Sequence, residues 1–185
     1  MMSKIYQTSY SKKSFNNKYG VPISLFNINK EDKIGIFEIG MDKRGEIDFL
    51  SKKIMPNVGV VTNISYAHIK NFKNLKGIAN AKSEIINNIV KNGTIILNTD
   101  DKFFKLFKSK SIKKKLRIIS FGIKNKSDVS LVKIKKEKLR SIIYIKYNKK
   151  KLKFILNQNL ENYVYNILST LAVLSIYFDL EKLDK

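Results

Sequence analysis

Three polar residues in the first half of the chain stand where chemistry is often found. Glu38 follows the apolar run Ile34-Gly35-Ile36-Phe37, His68 follows Val58-Gly59-Val60-Val61 by a few residues, and Lys82 lies in the next helical stretch. A carboxylate and an imidazole converging at one sheet edge can hold a divalent cation. Magnesium prefers oxygen and keeps several waters, so two protein ligands with phosphate oxygens would suffice. From spacing alone the weight falls on plainer readings: a solvated strand end, a loop residue and a surface lysine. Asn98, Asp100 and Asp101 form a second polar group, after Thr94-Ile95-Ile96-Leu97. With no Cys and a single His, the chain has no disulfide framework, no thiolate zinc site, no cysteine nucleophile and no two-histidine chemistry.

These residues need elements to position them, and the first hundred residues alternate between strand and helix patterns. The runs at 34–37, 58–61 and 94–97 are short, continuously apolar and bounded by turn residues, which suits strands buried on both faces. Between them, Glu46 to Ile54 places Ile47, Leu50 and Ile54 on one helical face. Leu75 to Val90 does the same with Ile78, Ala81, Ile85 and Ile89, and Lys91-Asn92-Gly93 supplies a stop. A helical stretch near Phe103 to Phe107 leads to a further strand at Arg117 to Phe121. The pattern predicts an α/β fold, a mostly parallel sheet flanked by helices, with ligands beyond the carboxyl ends of the strands. Glu38, Asn63 with His68, and Asn98 with Asp100 and Asp101 all fall at such ends. After Gly122 the pattern changes. Val129 to Ile134, Ser141 to Tyr147 and Leu152 to Leu156 predict a small antiparallel meander over 128–156, and Tyr163 to Phe178 predicts a strongly apolar helix.

The 185 residues carry 37 Lys and Arg against 15 Asp and Glu, a formal charge of +22. Residues 102–160 alone hold 20 basic and 2 acidic residues, a net +18. Only Arg44, Arg117 and Arg140 are arginines, and the chain is rich in Lys, Asn and Ile, the types that AT-rich codons favour. Codon bias therefore accounts for the charge before nucleic acid does. No run approaches the roughly 18 to 20 apolar residues of a membrane span, and Met1 to Tyr10 has no signal-peptide core, so the chain reads as cytoplasmic with no membrane span.

Several ordered segments together resemble a known family. They are Phe37-Glu38-Ile39-Gly40-Met41 with Gly45-Glu46-Ile47, Pro56 to His68, Gly77-Ile78-Ala79-Asn80-Ala81-Lys82-Ser83-Glu84-Ile85, and Asn92 to Asp101. In this order and spacing they resemble the central, ATP-binding domain of the Mur ligases, with a P-loop-NTPase-like fold, and the resemblance runs from about Tyr6 to Asp179. Asn16-Asn17-Lys18-Tyr19-Gly20-Val21-Pro22 resembles a further loop of that family. The resemblance implies an ADP-forming ligase of peptidoglycan precursor synthesis that uses ATP as a substrate and Mg2+. It would join D-alanyl-D-alanine to UDP-N-acetylmuramoyl-tripeptide through an acyl phosphate. It implies metal roles for Glu38, His68 and Lys82, with Lys82 carbamylated. Asn16 and Asn17 would lie in a loop near phosphates and substrate, Asn166 would contribute to adenine binding, and Asn98, Asp100 and Asp101 match a motif without an individual role.

The same comparison shows departures. No G-x-x-x-x-G-K-[ST] loop occurs in the 185 residues, and no stretch corresponds to the family's two flanking domains. The expectation is therefore one domain over 1–185, incomplete at its N-terminus and inactive alone, to be completed by separate flanking domains or a complete ligase. Of the family's G-x-H-N-x-x-N pattern, Leu160-Glu161-Asn162-Tyr163-Val164-Tyr165-Asn166 keeps only Asn166. Two other readings remain open: a basic nucleic-acid-binding module using Tyr144, Tyr147 and Phe154 among lysines, and a noncatalytic scaffold derived from a ligase.

Overall fold

A computed structural model describes residues 2–66, 69–156 and 161–183. The chain forms two compact units, one of Met1–Asn57 with Ser65–Val90, the other of Val58–Ile64 with Lys91–Lys185.

The first unit contains β1 (Thr8–Tyr10), α1 (Gly20–Phe26), β2 (Ile34–Ile36), α2 (Glu46–Ile54), α3 (Leu75–Lys82) and α4 (Ile85–Asn88). The β2 strand pairs in parallel with β1, Thr8 against Ile34, in a two-stranded sheet of its own. This corrects the expectation of one parallel sheet: the hydrogen bonds of the 34–36 run go to β1 and not into the larger sheet. The α2 helix has the expected bounds, opening at Gly45 with φ 90°, a left-handed conformation in which glycine has no Cβ to strain. Glu46 and Asp48 in its first turn and Lys52 and Lys53 in its last complement the helix dipole.

The predicted single helix over 75–90 is two helices. Around Ser83 the backbone closes i to i−3: the N–H groups of Glu84, Ile86 and Asn87 donate to the carbonyls of Ala81, Ser83 and Glu84. The Ser83 hydroxyl donates to the Asn80 carbonyl at 2.6 Å, an alternative to the helical ladder. The second helix consequently buries Ile86 with Ile89, while Ile85, expected on the buried face, is half-buried. At the break, both carboxylate oxygens of Glu84 accept the Gly45 N–H at 3.0 Å, and one accepts the Asp48 N–H at 3.3 Å. The orphan donors that open α2 are thus satisfied by a carboxylate 36 to 39 residues away in sequence. Asn88 completes the attachment, donating to the Asp48 carboxylate at 3.0 Å and to the Ser51 hydroxyl at 2.9 Å.

The second unit is built on a six-stranded sheet of β3 (Val58–Val61), β4 (Thr94–Asn98), β5 (Arg117–Gly122), β6 (Val129–Lys136), β7 (Ser141–Tyr147) and β8 (Lys150–Leu156), in that order. Pairing is parallel from β3 to β6 and antiparallel from β6 to β8. Two helices, α5 (Phe104–Lys113) and α6 (Val164–Tyr177), pack against β4 and β5. Every residue of β4 is buried, whereas β3 at the sheet edge leaves Val60 exposed and β2 leaves Gly35 and Ile36 exposed, so burial on both faces holds for the 94–97 run and not for the other two. The β7–β8 hairpin turns on Asn148 and Lys149, both at positive φ as a two-residue loop demands. The fold class read from the sequence agrees with this sheet and its flanking helices. Among the described residues no helix is long and apolar enough to cross a membrane.

Ile96 is wholly buried in β4, whereas Ile112 on α5 is 58% exposed. Ile96→Ala is expected to lower stability by about 2 to 5 kcal/mol and Ile112→Ala by less than about 0.5 kcal/mol, as measured by urea denaturation.

Candidate functional site

In the first unit, Asn16 and Glu38 are brought together. The Asn16 side-chain amide donates to Glu38 Oε1 at 2.9 Å, and its backbone carbonyl accepts the Gly40 N–H at 2.7 Å. Gly40 permits this approach, since a Cβ there would stand 3.0 Å from the Asn16 side-chain carbonyl. The Glu38 carboxylate is exposed just beyond β2, and the Ser11 hydroxyl receives its backbone N–H at 3.3 Å. Asn17 does a different job: its Oδ1 accepts the N–H groups of Tyr19 and Gly20, both at 3.0 Å, capping the start of α1. Lys82 is the last residue of α3 and half-buried. His68 lies outside the described residues, as does Leu160 of the segment aligned with the adenine motif.

In the second unit, the Asn98–Asp101 segment is turned toward the protein itself. Asn98 is buried; its Nδ2 donates to the Thr62 carbonyl at 3.0 Å and its Oδ1 accepts the Asp100 N–H at 2.9 Å. Asp101 accepts the Ile64 N–H at 2.7 Å and the Phe103 N–H at 2.8 Å. The loops after β3 and β4 are thereby joined. They line a recess of about 10 Å³ with Val61, Leu97 and Phe104, room for about one water and not for a small molecule.

Asp100 fastens the loop after β5. Its carboxylate accepts the backbone N–H groups of Ile123, Lys124 and Asn125 at 2.6, 3.1 and 2.8 Å, and the Tyr165 hydroxyl donates to it at 3.2 Å. Burial pushes the Asp100 carboxyl up, but the three N–H donors and Tyr165 outweigh it and hold the group below the usual carboxylate range. Burial and the neighbouring Asp100 charge push the Tyr165 hydroxyl up. Nothing in the sequence pattern marks Tyr165 or Glu84: both lie inside the motif segments, but their partners are remote in sequence. Asn166 is exposed on α6, with its carbonyl accepting the hydroxyls of Ser169 and Thr170. No group of three or more His, Asp or Glu residues forms a ready metal cluster among the described residues.

A family model, the Mur ligase middle domain, matches residues 1–174. The chain belongs to the Mur ligase family. It is 37% identical over 116 residues to the UDP-N-acetylmuramoyl-tripeptide--D-alanyl-D-alanine ligase of Buchnera aphidicola subsp. Baizongia pistaciae, an alignment covering 63% of this chain and 25% of that protein. Among solved structures, MurF from Acinetobacter baumannii superposes with a TM-score of 0.89 at 29% identity, over 99% of this chain and 40% of that one. The MurF ligase of Thermotoga maritima, solved in complex with ADP, has a TM-score of 0.82 over 95% of this chain and 40% of its own; at 22% identity it speaks for the fold alone. This Mur ligase chain spans about a quarter of the length of the curated relatives it matches.

Replacing Asp100 tests the clamp it makes. Asp100→Asn is expected to cost about 2 kcal/mol at neutral pH, since it removes charge-assisted bonds to three amides. A carboxyl held low in the folded state stabilises above its unfolded pKa, near 3.8, and that contribution is lost as pH falls through the folded value. The gap between native chain and variant in thermal melts should therefore narrow steadily below about pH 4.

Proposed function

We propose that the chain provides the middle domain of an ATP-dependent, ADP-forming amide ligase that joins D-alanyl-D-alanine to UDP-N-acetylmuramoyl-tripeptide in the cytoplasm. The match of residues 1–174 to the Mur ligase middle domain carries this reading. The Asn16–Glu38 pair supports it at the level of the residues, because a carboxylate steadied through one oxygen and exposed to solvent is a fitting ligand for magnesium. The metal would be held by Glu38, His68 and a carbamylated Lys82. It would supply neutralisation of charge on phosphoryl oxygens.

The side chains then have separate tasks. Asn16 orients the Glu38 carboxylate, and Asn17 holds the start of α1 beside it in sequence. Lys82, as a neutral amine, takes up carbon dioxide and loses a proton, which turns a cation into an anionic oxygen ligand. Asn166 is the adenine contact that remains from the family pattern. Asn98, Asp100 and Asp101 position backbone loops. The phosphate cradle is not among these 185 residues, so the reaction draws it from residues outside them. Separate flanking domains or a complete ligase are the partners this reading implies.

A graft tests the proposal. Residues 1–174 replace the corresponding segment of the Acinetobacter baumannii enzyme, and ADP release is followed with both substrates present. A folded graft is expected to turn over, with Glu38→Gln and Lys82→Arg each lowering kcat by about 100-fold or more. A graft that melts cooperatively but releases no ADP overturns the reading. With 13C-labelled bicarbonate, the native chain is expected to give a carbamate carbon signal that Lys82→Arg lacks.

A further inference from the structure

The α2 helix takes its cap from far along the chain. A helix start is ordinarily capped by the side chain of a Ser, Thr, Asp or Asn at the N-cap position, and Gly45 has none to offer. Both oxygens of Glu84 accept the Gly45 N–H at 3.0 Å, and Oε2 accepts the Asp48 N–H at 3.3 Å, so a negative charge stands at the positive end of α2. A cap alone can come from any neighbouring element. Here it comes from the residue two places after Lys82, at the break that follows α3.

The two ends of this contact lead to the two residues of the candidate metal site that the structure describes. Gly45 closes the loop that begins at Glu38, and that loop is held along its length. Asn16 holds Glu38 and Gly40, Met41 is buried, and Glu46 Oε2 accepts the N–H groups of Asp42 and Lys43 at 2.5 and 2.9 Å. On the other side, α3 ends at Lys82, and Ser83 is buried with its hydroxyl on the Asn80 carbonyl. Glu84 therefore joins the segment bearing Glu38 to the segment bearing Lys82, inside one compact unit. Two side chains that share an ion need their backbones fixed against each other to within about 0.5 Å.

We propose that Glu84 is a positioning residue for Lys82: it sets the end of α3 against the Glu38 loop and so fixes the separation at which the two side chains can share a cation. The proposal rests on the reading of Glu38 and Lys82 as magnesium ligands. Asn88 supplies the contrast. It ties α4 to the same helix, through the Asp48 carboxylate and the Ser51 hydroxyl, but its attachment lies within α2 and not in the loop that leads to Glu38.

The test follows the carbamate carbon of the 185-residue chain by NMR in 13C-labelled bicarbonate while magnesium is titrated. In the native chain the signal is expected to grow with magnesium to a plateau. Glu84→Ala is expected to raise the half-saturating magnesium concentration by about tenfold or more, the scale seen when a group that orients a metal ligand is removed. Glu84→Gln keeps an acceptor oxygen for the Gly45 N–H but loses the charge that strengthens the bond, and a rise of about threefold is expected. Asn88→Ala, which loosens the same pair of helices, is expected to stay within about twofold of the native value. Equal shifts in Glu84→Ala and Asn88→Ala would reveal general loosening and overturn the proposal, as would a native midpoint in a folded Glu84→Ala variant. Should Glu84→Ala fail to fold, a Glu84→Gln midpoint equal to the native one overturns it. A native chain without a carbamate signal at any magnesium concentration overturns the metal role of Lys82 and this proposal with it. A native signal that neither Glu84 substitution moves overturns this proposal alone.

Discussion

The carboxylate of Asp100 holds the point at which the larger sheet changes from parallel to antiparallel. Consecutive parallel strands are ordinarily joined by a crossover of a dozen residues or more. Here β5 ends at Gly122 and β6 begins at Val129, and the two pair at only two positions. So short a return leaves backbone N–H groups without a ladder to enter. Asp100 collects those of Ile123, Lys124 and Asn125, and Asp128 takes the Ser120 N–H and hydroxyl at 2.7 and 2.6 Å. Gly122 is needed at the same place, because a Cβ there would stand 2.2 Å from the Thr99 hydroxyl. Without this clamp β6 has no fixed start, and the β7 and β8 strands that follow it have no fixed edge.

This constraint changes how the residues of the second unit should be weighed. Asn98, Asp100 and Asp101 have the polar groups that chemistry needs, yet each is already engaged with backbone: Asn98 with Thr62, Asp100 with 123–125, Asp101 with Ile64 and Phe103. A carboxylate that accepts three amides is stabilised as an anion and is correspondingly weak as a base. Tyr165 extends the clamp to α6, so the helix bearing Asn166 is anchored by the residue next to it. Precision in this segment serves the placement of loops.

Elements with strong local patterns were legible in the sequence. The runs at 58–61 and 94–97 and the helix at 46–54 have periodicities that owe nothing to remote partners. The break at Ser83 was not legible, because the apolar spacing of Ile78, Ala81, Ile85 and Ile89 continues smoothly through it. What breaks the helix is local, a serine hydroxyl and i to i−3 turns, and what uses the break is distant, the N-terminus of α2 receiving Glu84. The short β1 and α1 elements likewise have no sequence signature: three residues and seven residues carry too little pattern. Glu38 and Asn16 appeared in the sequence as separate motifs 22 positions apart, and only the fold joins them in one hydrogen bond.

That bond illustrates why family motifs outlast local statistics. An exposed glutamate is ordinarily a mobile surface charge, and holding it in one rotamer costs conformational entropy. Asn16 offsets that cost by fixing one oxygen, and it is itself fixed through its own carbonyl by the Gly40 N–H. Gly40 in turn is constrained by the space that the Asn16 amide occupies. Three residues of different types, at 16, 38 and 40, therefore depend on one another, and changing any one releases the other two. A dependence of this kind gives a spacing rule to a motif: the distance between Asn16 and Glu38 along the chain must suit the β1–β2 pairing, or the carboxylate is left without its partner.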